Sequence, residues 1–209
     1  MEGPASRGTQ YLVAINAESQ FVALVRSWLV SLPHDLKIAF DAMDDENLPR
    51  AARELATGVA IYIVSPKDSA QDRGDAISYA DDAVLLRVVF QKAFGKGEDE
   101  VAFRERYPEL FDNLDENLAL CKSVMGELMT WLESKVNSLK TATYKSKKLA
   151  QYLDNDEARG ELFDDGLVFR TDYPVDETRI ADKLKKATTI LETLRRTRSD
   201  EQRAKGISA

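Results

Sequence analysis

Apolar residues in this chain recur at helical spacing from its first third to its last. Phe21, Leu24, Val25, Trp28, Leu29 and Leu32 stand three and four apart, which gathers them on one face of an amphipathic helix. Pro33 predicts an interruption, because proline removes a backbone donor and its ring crowds the preceding turn. Leu36, Ala39, Phe40 and Met43 predict a second, short helix, ended by the polar run Asp44-Asp45-Glu46-Asn47. Pro49 stands in the first turn of a third helix, where its missing N–H costs nothing. Ala52, Leu55, Val59 and Tyr62 mark one face of that helix, and its last turn, residues 59–64, is apolar all round, as expected of a helix end contacted from several sides. A polar segment, residues 65–78, leads to a fourth helix with Ala83, Leu86, Val89 and Phe90 inward. Gly95 suits the left-handed residue past its end, ahead of a charged loop over 95–100.

From Glu109 the pattern lengthens. Leu114, Leu118, Cys121, Met125, Leu128 and Leu132 form a stepped stripe that Val136 and Leu139 continue. Unbroken to Leu153, this would be a rod of roughly 65 Å at about 1.5 Å per residue, weakest at Thr141-Ala142-Thr143. Asp154-Asn155-Asp156 ends it. Residues 160–174 read as irregular, with Leu167-Val168-Phe169 a short extended piece. A last helix starts near Asp176 and carries Ile180, Leu184, Ala187, Leu191 and Leu194, and the chain beyond Arg195 is polar and expected to fray. The fold class is therefore all-α: an N-terminal bundle of short helices, then a long helix and a C-terminal helix packed antiparallel. The expected organisation is a helical domain over residues 10–100, the two-helix region over 101–197, and a flexible tail over 198–209.

Composition narrows the function. The chain has 209 residues, of which 44% are apolar and 31% charged, values that exclude wholesale disorder and a membrane-embedded protein. The net charge of −7 excludes a generic nucleic-acid binder. A single cysteine, Cys121, excludes a disulfide framework, and a single histidine, His34, leaves no histidine-based metal site. Met1-Glu2-Gly3-Pro4-Ala5 lacks a basic-then-apolar leader pattern, and the longest apolar stretch, residues 55–64, falls short of the roughly 18 residues of a spanning helix. The expectation is a cytoplasmic protein with no transmembrane segment.

Asp68, Asp72, Asp75, Asp81 and Asp82 form the one notable group of carboxylates. Hard cations take several oxygen ligands, so Asp68, Asp72, Asp81 and Asp82 are the candidates for a divalent-metal site. Their spacing does not reproduce a calcium-loop register, and a local role is favoured. Ser65 and Ser78 each precede an aspartate by three residues, close to a capping box, and Asp81 and Asp82 suit the positive end of a helix. His34 beside Asp35 reads as a surface or capping residue. Cys121 lies on the apolar stripe and reads as a buried small hydrophobe. Gly95-Lys96-Gly97 lacks a phosphate-loop pattern. Lys135, Lys140, Lys145, Lys147 and Lys148, with no acid between them and only Tyr144 interleaved, read as a solvated face or one complementary to acids of the same chain. Contact with an anionic membrane is the alternative.

Ile61-Tyr62-Ile63-Val64-Ser65-Pro66-Lys67-Asp68, continued by Asp72 and by Ser78-Tyr79-Ala80-Asp81-Asp82-Ala83, resembles the YkvA-like domain of unknown function. Tyr62, Ser65, Pro66, Asp68, Asp72, Tyr79, Asp81 and Asp82 carry the likeness, and Asn47-Leu48-Pro49-Arg50 fits the turn that precedes the family's apolar helix. The likeness covers about residues 45–94. The sequence departs from the pattern at Lys67, Ser69 and Ala70, where the family is apolar, at Gln71, where it has proline, and at Arg73-Gly74-Asp75 in the connector. The resemblance implies a small helical domain of bacterial type and implies no activity.

These observations point to a non-enzymatic protein without cofactor, regulatory or scaffolding in kind, that works through contacts with a protein partner. Self-association through the long helix is a second use of the same stripe. The alternatives are a divalent-metal-binding protein or metal-dependent enzyme using the aspartate group, and membrane association through residues 135–148. The stripe itself makes a forecast: Leu132→Ala or Leu128→Ala should lower stability by roughly 2–5 kcal/mol in chemical denaturation, as for truncation of a buried leucine.

Overall fold

A computed structural model describes residues 4–65, 74–95, 97–98 and 100–206, with side chains from residue 16 onward. The chain is all-α, with a single two-stranded ribbon among the described residues. Helix α1 runs from Pro4 to Asp44, 41 residues, about 60 Å of continuous helix with Pro33 inside it. The expected break at Pro33, and the separate short helix after it, are replaced by one rod. Its continuity has a specific cause. Proline at 33 leaves the carbonyl of Leu29 without its usual donor, and the Tyr173 hydroxyl donates to that carbonyl at 2.8 Å. Leu29, Leu32 and Leu36 on either side are fully buried, so packing holds both halves in line.

The polar run 44–49 turns the chain into α2 (Arg50–Val64), with Pro49 at the cap position. A 3-10 turn (Ala76–Tyr79) precedes α3 (Ala80–Phe94). Every side chain from 80 to 90 is buried, which makes α3 the central helix, packed on α1, α2, α6, α7 and α11. Its four expected inward residues are in the core, but so is the rest of its circumference, including Asp81, Asp82 and Arg87. Gly95 ends α3 in a right-handed conformation (φ −73), not the expected left-handed one. Two short helices, α4 (Val101–Arg106) and α5 (Pro108–Phe111), seat Phe103 and Phe111 against Phe90 and Phe94.

The long stripe is buried as expected, from Leu114 through Leu139, yet the rod is not continuous. Gly126, at φ +54 in a region that favours glycine, divides it into α6 (Leu114–Met125) and α7 (Glu127–Leu139). The helix then stops near the Thr141-Ala142-Thr143 weak point. Strands β1 (Thr143–Tyr144) and β2 (Lys147–Lys148) pair antiparallel around Lys145 and Ser146, both at positive φ, and α8 (Leu149–Asp154) follows. The regular spacing survives because both helices face the same core.

Residues 160–174 are not irregular. Helix α9 (Asp156–Asp172) opens on Asn155, whose side chain accepts from the Ala158 N–H at 2.8 Å, and buries Ala158, Leu162 and Gly166. Gly166 faces the Phe40 ring, which would collide with any Cβ there, so this glycine is a point of close approach to α1 and not a breaker. The C-terminal helix is divided in two. Asp176 caps α10 (Glu177–Lys183) by accepting from the Arg179 N–H at 2.9 Å, and after Leu184 the chain restarts as α11 (Ala187–Ala204), nine residues past Arg195. The guanidinium of Arg26 on α1 occupies the break, donating to the Ala181 carbonyl at 3.0 Å and to that of Leu184.

The Leu29–Tyr173 contact is testable. Tyr173→Phe should destabilise the fold by about 1–3 kcal/mol, because it leaves a buried carbonyl unpaired. In a Pro33→Ala background the backbone N–H restored at that position supplies the helical donor, and Tyr173→Phe should then cost at least about 1 kcal/mol less. A double-mutant cycle by urea denaturation measures the difference.

Candidate functional site

Six elements close around one cavity of about 640 Å³. The last turns of α2 form its floor through Ile61, Tyr62 and Val64, and the 3-10 turn supplies Ser78 and Tyr79. The end of α7 and the ribbon bring Leu139 and Tyr144. One wall is α9, through Asp165, Val168, Phe169 and Asp172, and the facing wall is α11, through Arg196, Asp200 and Glu201. The volume lies in the range of ordinary ligand pockets. The floor and the α9 wall are aromatic: Tyr79 meets Phe169 edge-on at 5.4 Å and Tyr173 at 5.2 Å, and Phe169 meets Tyr173 at 5.5 Å. Tyr173 turns its hydroxyl away to the Leu29 carbonyl, so the cavity receives its ring.

A polar network runs through this floor, with Asp81 buried and Tyr62, Lys135 and Glu201 half-buried. The Tyr62 hydroxyl lies 2.8 Å from Asp81 Oδ2 and 3.0 Å from Glu201 Oε1, between α3 and α11. Lys135 of α7 is ion-paired with Glu201, and its ammonium stands over the rings of Trp131 (4.5 Å) and Tyr62 (5.0 Å). Burial, then the charges of Asp81, Asp82 and Glu201, hold the Tyr62 hydroxyl well above its ordinary pKa. Burial lowers that of Lys135, against the opposing pull of Glu201 and Asp81. At the ribbon, burial and a hydrogen bond to Asp165 push Tyr144 up to about 12. Raised above the ordinary phenol value, Tyr62 and Tyr144 stay neutral at neutral pH, and Lys135 has the Glu201 carboxylate as its ion-pair partner.

The residues singled out from the sequence separate into three places. Tyr62, Ser65 and Tyr79 line the cavity, and Asp81 meets it through Tyr62. Asp82 is fully buried in the first turn of α3. Pro66, Asp68 and Asp72 lie outside the described residues, so the four carboxylates proposed as metal ligands are described only in part. Among the described residues no group of three or more His, Cys, Asp or Glu is placed to hold a metal ion. The expected Ser78 cap on α3 is not formed. Tyr79 holds the cap position, the Ser78 hydroxyl donates to the Asp75 carbonyl at 2.7 Å, and Asp75 caps the 3-10 turn by accepting from the Ile77 N–H at 3.3 Å. The reason is that the 3-10 turn continues through Tyr79 and delays the start of α3 to Ala80.

His34 is exposed, 3.3 Å from Glu109 on the surface. Cys121 is buried in the stripe and burial pushes its thiol up to about 12, far from a reactive thiolate. The lysine-rich segment is matched within the chain to a large extent: Lys135 with Glu201, Lys145 with Asp165 at 2.7 Å, Lys147 with Glu161 at 2.5 Å, while Lys140 and Lys148 are exposed. Sequence periodicity does not reveal Glu201, Asp165 or Phe169 as site residues, since the pattern reads their segments as tail and loop. A second buried centre also escapes it. Asp35 of α1 and Arg87 of α3 pair at 2.8 Å, with Ser31 donating to Asp35 at 2.6 Å and Trp28 under the guanidinium at 5.4 Å. Burial raises the Asp35 pKa and lowers that of Arg87, each against the pull of the other.

No protein-family model matches the chain, nor does any curated protein or solved structure. No helix among the described residues is long and apolar enough to cross a membrane.

Asp75 anchors the 3-10 turn that presents Tyr79, and it is ion-paired with Lys183 of α10. Burial acts to raise its pKa, but Lys183, the Ile77 N–H and Arg179 together hold the carboxyl below its ordinary 3.8. A carboxylate depressed on folding adds stability that is present above the unfolded value and disappears as pH falls through the folded one. An asparagine in its place keeps an acceptor for the Ile77 N–H and loses the ion pair, so Asp75→Asn should cost about 0.5–1 kcal/mol at about pH 7, the upper scale of a partly exposed pair. The gap between wild type and variant should close as the pH is lowered below 3.8, read from denaturation curves across that range.

Proposed function

We propose that this protein is a non-enzymatic, cytoplasmic binding protein, regulatory or scaffolding in kind, that acts through protein contacts at the cavity between α9 and α11. One observation carries the reading. Leu167 and Val168, adjacent on α9, are each 59% exposed, and Val168 also lines a cavity with an apolar, aromatic floor. Exposed large apolar residues that continue into a pocket mark interaction sites on soluble proteins. The carboxylates nearest the floor are meanwhile engaged inside the fold: Asp81 with Tyr62, Glu201 with Lys135. Under this reading the likeness of residues 45–94 to the YkvA-like domain is one of architecture, with the Tyr62–Asp81 hydrogen bond as the use of two of its motif positions. Of the antiparallel docking expected of the long and C-terminal helices, this reading keeps a contact between α7 and α11.

The competing reading is a divalent-metal site built on Asp81 and Asp82 with Asp68 and Asp72. Metal binding to the folded state would raise stability by mass action. Melting midpoints in EDTA and in millimolar magnesium, calcium or manganese should agree within about a degree. A rise of several degrees that disappears in Asp82→Asn would overturn the binding-protein reading in favour of the metal.

A further inference from the structure

We propose that the face formed by the outer side of α9 and the adjoining cavity docks a basic amphipathic helix of a partner protein, a proposal that rests on the protein-contact reading above. The large exposed apolar side chains among the described residues are Val101, Leu167, Val168 and Val175, and three of these four lie within nine residues, two on the last turns of α9 and Val175 in the segment after it. Val168 is also a wall of the cavity, so the exposed patch and the pocket are continuous. Neither Leu167 nor Val168 serves the core. The inward side of the helix is occupied by Ala158, Leu162 and Gly166, and Phe163 and Phe169 pack at its flanks.

Charge selects the occupant. Asp165 and Glu201 at the cavity are matched by Lys145 and Lys135, which leaves Asp172 and Asp200 on the rim alongside Arg196. Asp200 has an exposed contact with Arg203 at 3.5 Å, a pair of the kind that contributes little. Asp164 and Asp176, both exposed, extend the border on either side of the apolar pair, where Arg170, exposed three residues past Leu167, stands against them, so that the acids still outnumber the base. A helix that presents apolar residues at three-and-four spacing can place one or two in the cavity and against Leu167 and Val168, while its lysines and arginines meet Asp164, Asp172 and Asp200. A second copy of this chain fits less well: a two-fold contact apposes the same patch with itself, and Asp164 and Asp172 would face their own counterparts in a protein already at −7. An anionic membrane meets the same repulsion.

The test uses the full chain and two fluorescent 18-residue helical peptides of identical apolar pattern, one with lysine and one with glutamate at the polar positions. Anisotropy should show saturable binding of the lysine peptide, at least tenfold weaker in Leu167→Ser/Val168→Ser and several-fold weaker in Asp172→Asn/Asp200→Asn, with no binding of the glutamate peptide. All substituted side chains are at the surface, and circular dichroism checks that the variants stay folded. Equal binding of both peptides, or binding indifferent to the variants, would overturn the proposal. So would a dimer in sedimentation that Leu167→Ser/Val168→Ser dissociates, or binding to vesicles containing anionic lipid that the same variant abolishes. The dimer result would leave the protein-contact reading intact, whereas that reading fails on the metal-dependent melting shift.

Discussion

A carbonyl buried in a helix must find a donor, and at Leu29 the chain's own backbone cannot provide one. An unpaired carbonyl there would cost about 1–3 kcal/mol, enough to favour a kink that exposes it to water. The Tyr173 hydroxyl supplies the missing hydrogen bond from the other end of the sequence. Continuity of α1 follows, and with it the arrangement of the rest, because α1 is the element on which α2, α3, α6, α9, α10 and α11 all pack. The same tyrosine fixes where α9 ends. Its ring packs with Tyr79 and Phe169, so the donor that straightens α1 also sets the aromatic wall of the cavity.

Buried charge sets the orientation of the central helix. Taking Asp35 and Arg87 out of water is costly, and their pairing repays this only in good geometry. The 2.8 Å contact between α1 and α3 joins the two charges through one oxygen and one nitrogen, with Ser31 donating to Asp35 and Trp28 beside the guanidinium, while Asp35 Oδ1 and Arg87 Nη1 are buried without a hydrogen-bond partner. On α3, Asp81 stands near one end and Arg87 six residues on, so one is held by Tyr62 of α2 and the other by Asp35 of α1. Hydrophobic contacts tolerate sliding, since one apolar residue replaces another at small cost. Two polar anchors on one helix do not, because a shift by one turn would leave a charge buried without a partner, a penalty of about 3–5 kcal/mol.

Helical periodicity made most of the core legible. The stripe from Leu114 to Leu139 is buried throughout, and the apolar end of α2 packs deep in the protein. What periodicity could not convey is where helices end. Gly126 occupies a position outside the stripe, so its positive φ breaks the rod without disturbing the spacing. Pro33 carries the opposite lesson: a residue that ends helices in isolation is tolerated where a distant hydroxyl replaces the lost donor. Segment 160–174 misleads for a third reason. Its two glycines and its acids lower helix propensity, while the contact that selects helix is the approach of Gly166 to Phe40, more than a hundred residues away in sequence. The motif positions Tyr62, Tyr79 and Asp81 were legible as a group, but their partners Glu201 and Tyr173 sit in segments with no local signal.

The lysine-rich segment shows how the same limit bears on function. Read alone, five lysines without an intervening acid suggest an anionic surface. In the fold, the acids that answer them come from other helices: Glu161 and Asp165 from α9 and Glu201 from α11. An ion pair already formed within the chain is not available to a membrane, and separating it would expose an unmatched carboxylate on the same face. The consequence runs in the other direction as well. On α9, Val168 and Asp172 follow Glu161 and Asp165 along one helical stripe, so the carboxylate at 172 stands on the same face as the two that the lysines engage, while Asp164 and Leu167 lie further round the helix, exposed. Internal neutralisation thus engages Glu161 and Asp165 with lysines and leaves the exposed Asp164 and Asp172 one turn to either side of Val168. A surface that is apolar at its centre and acidic at its border selects by sign what approaches it, since basic groups gain at the border what acidic groups lose there.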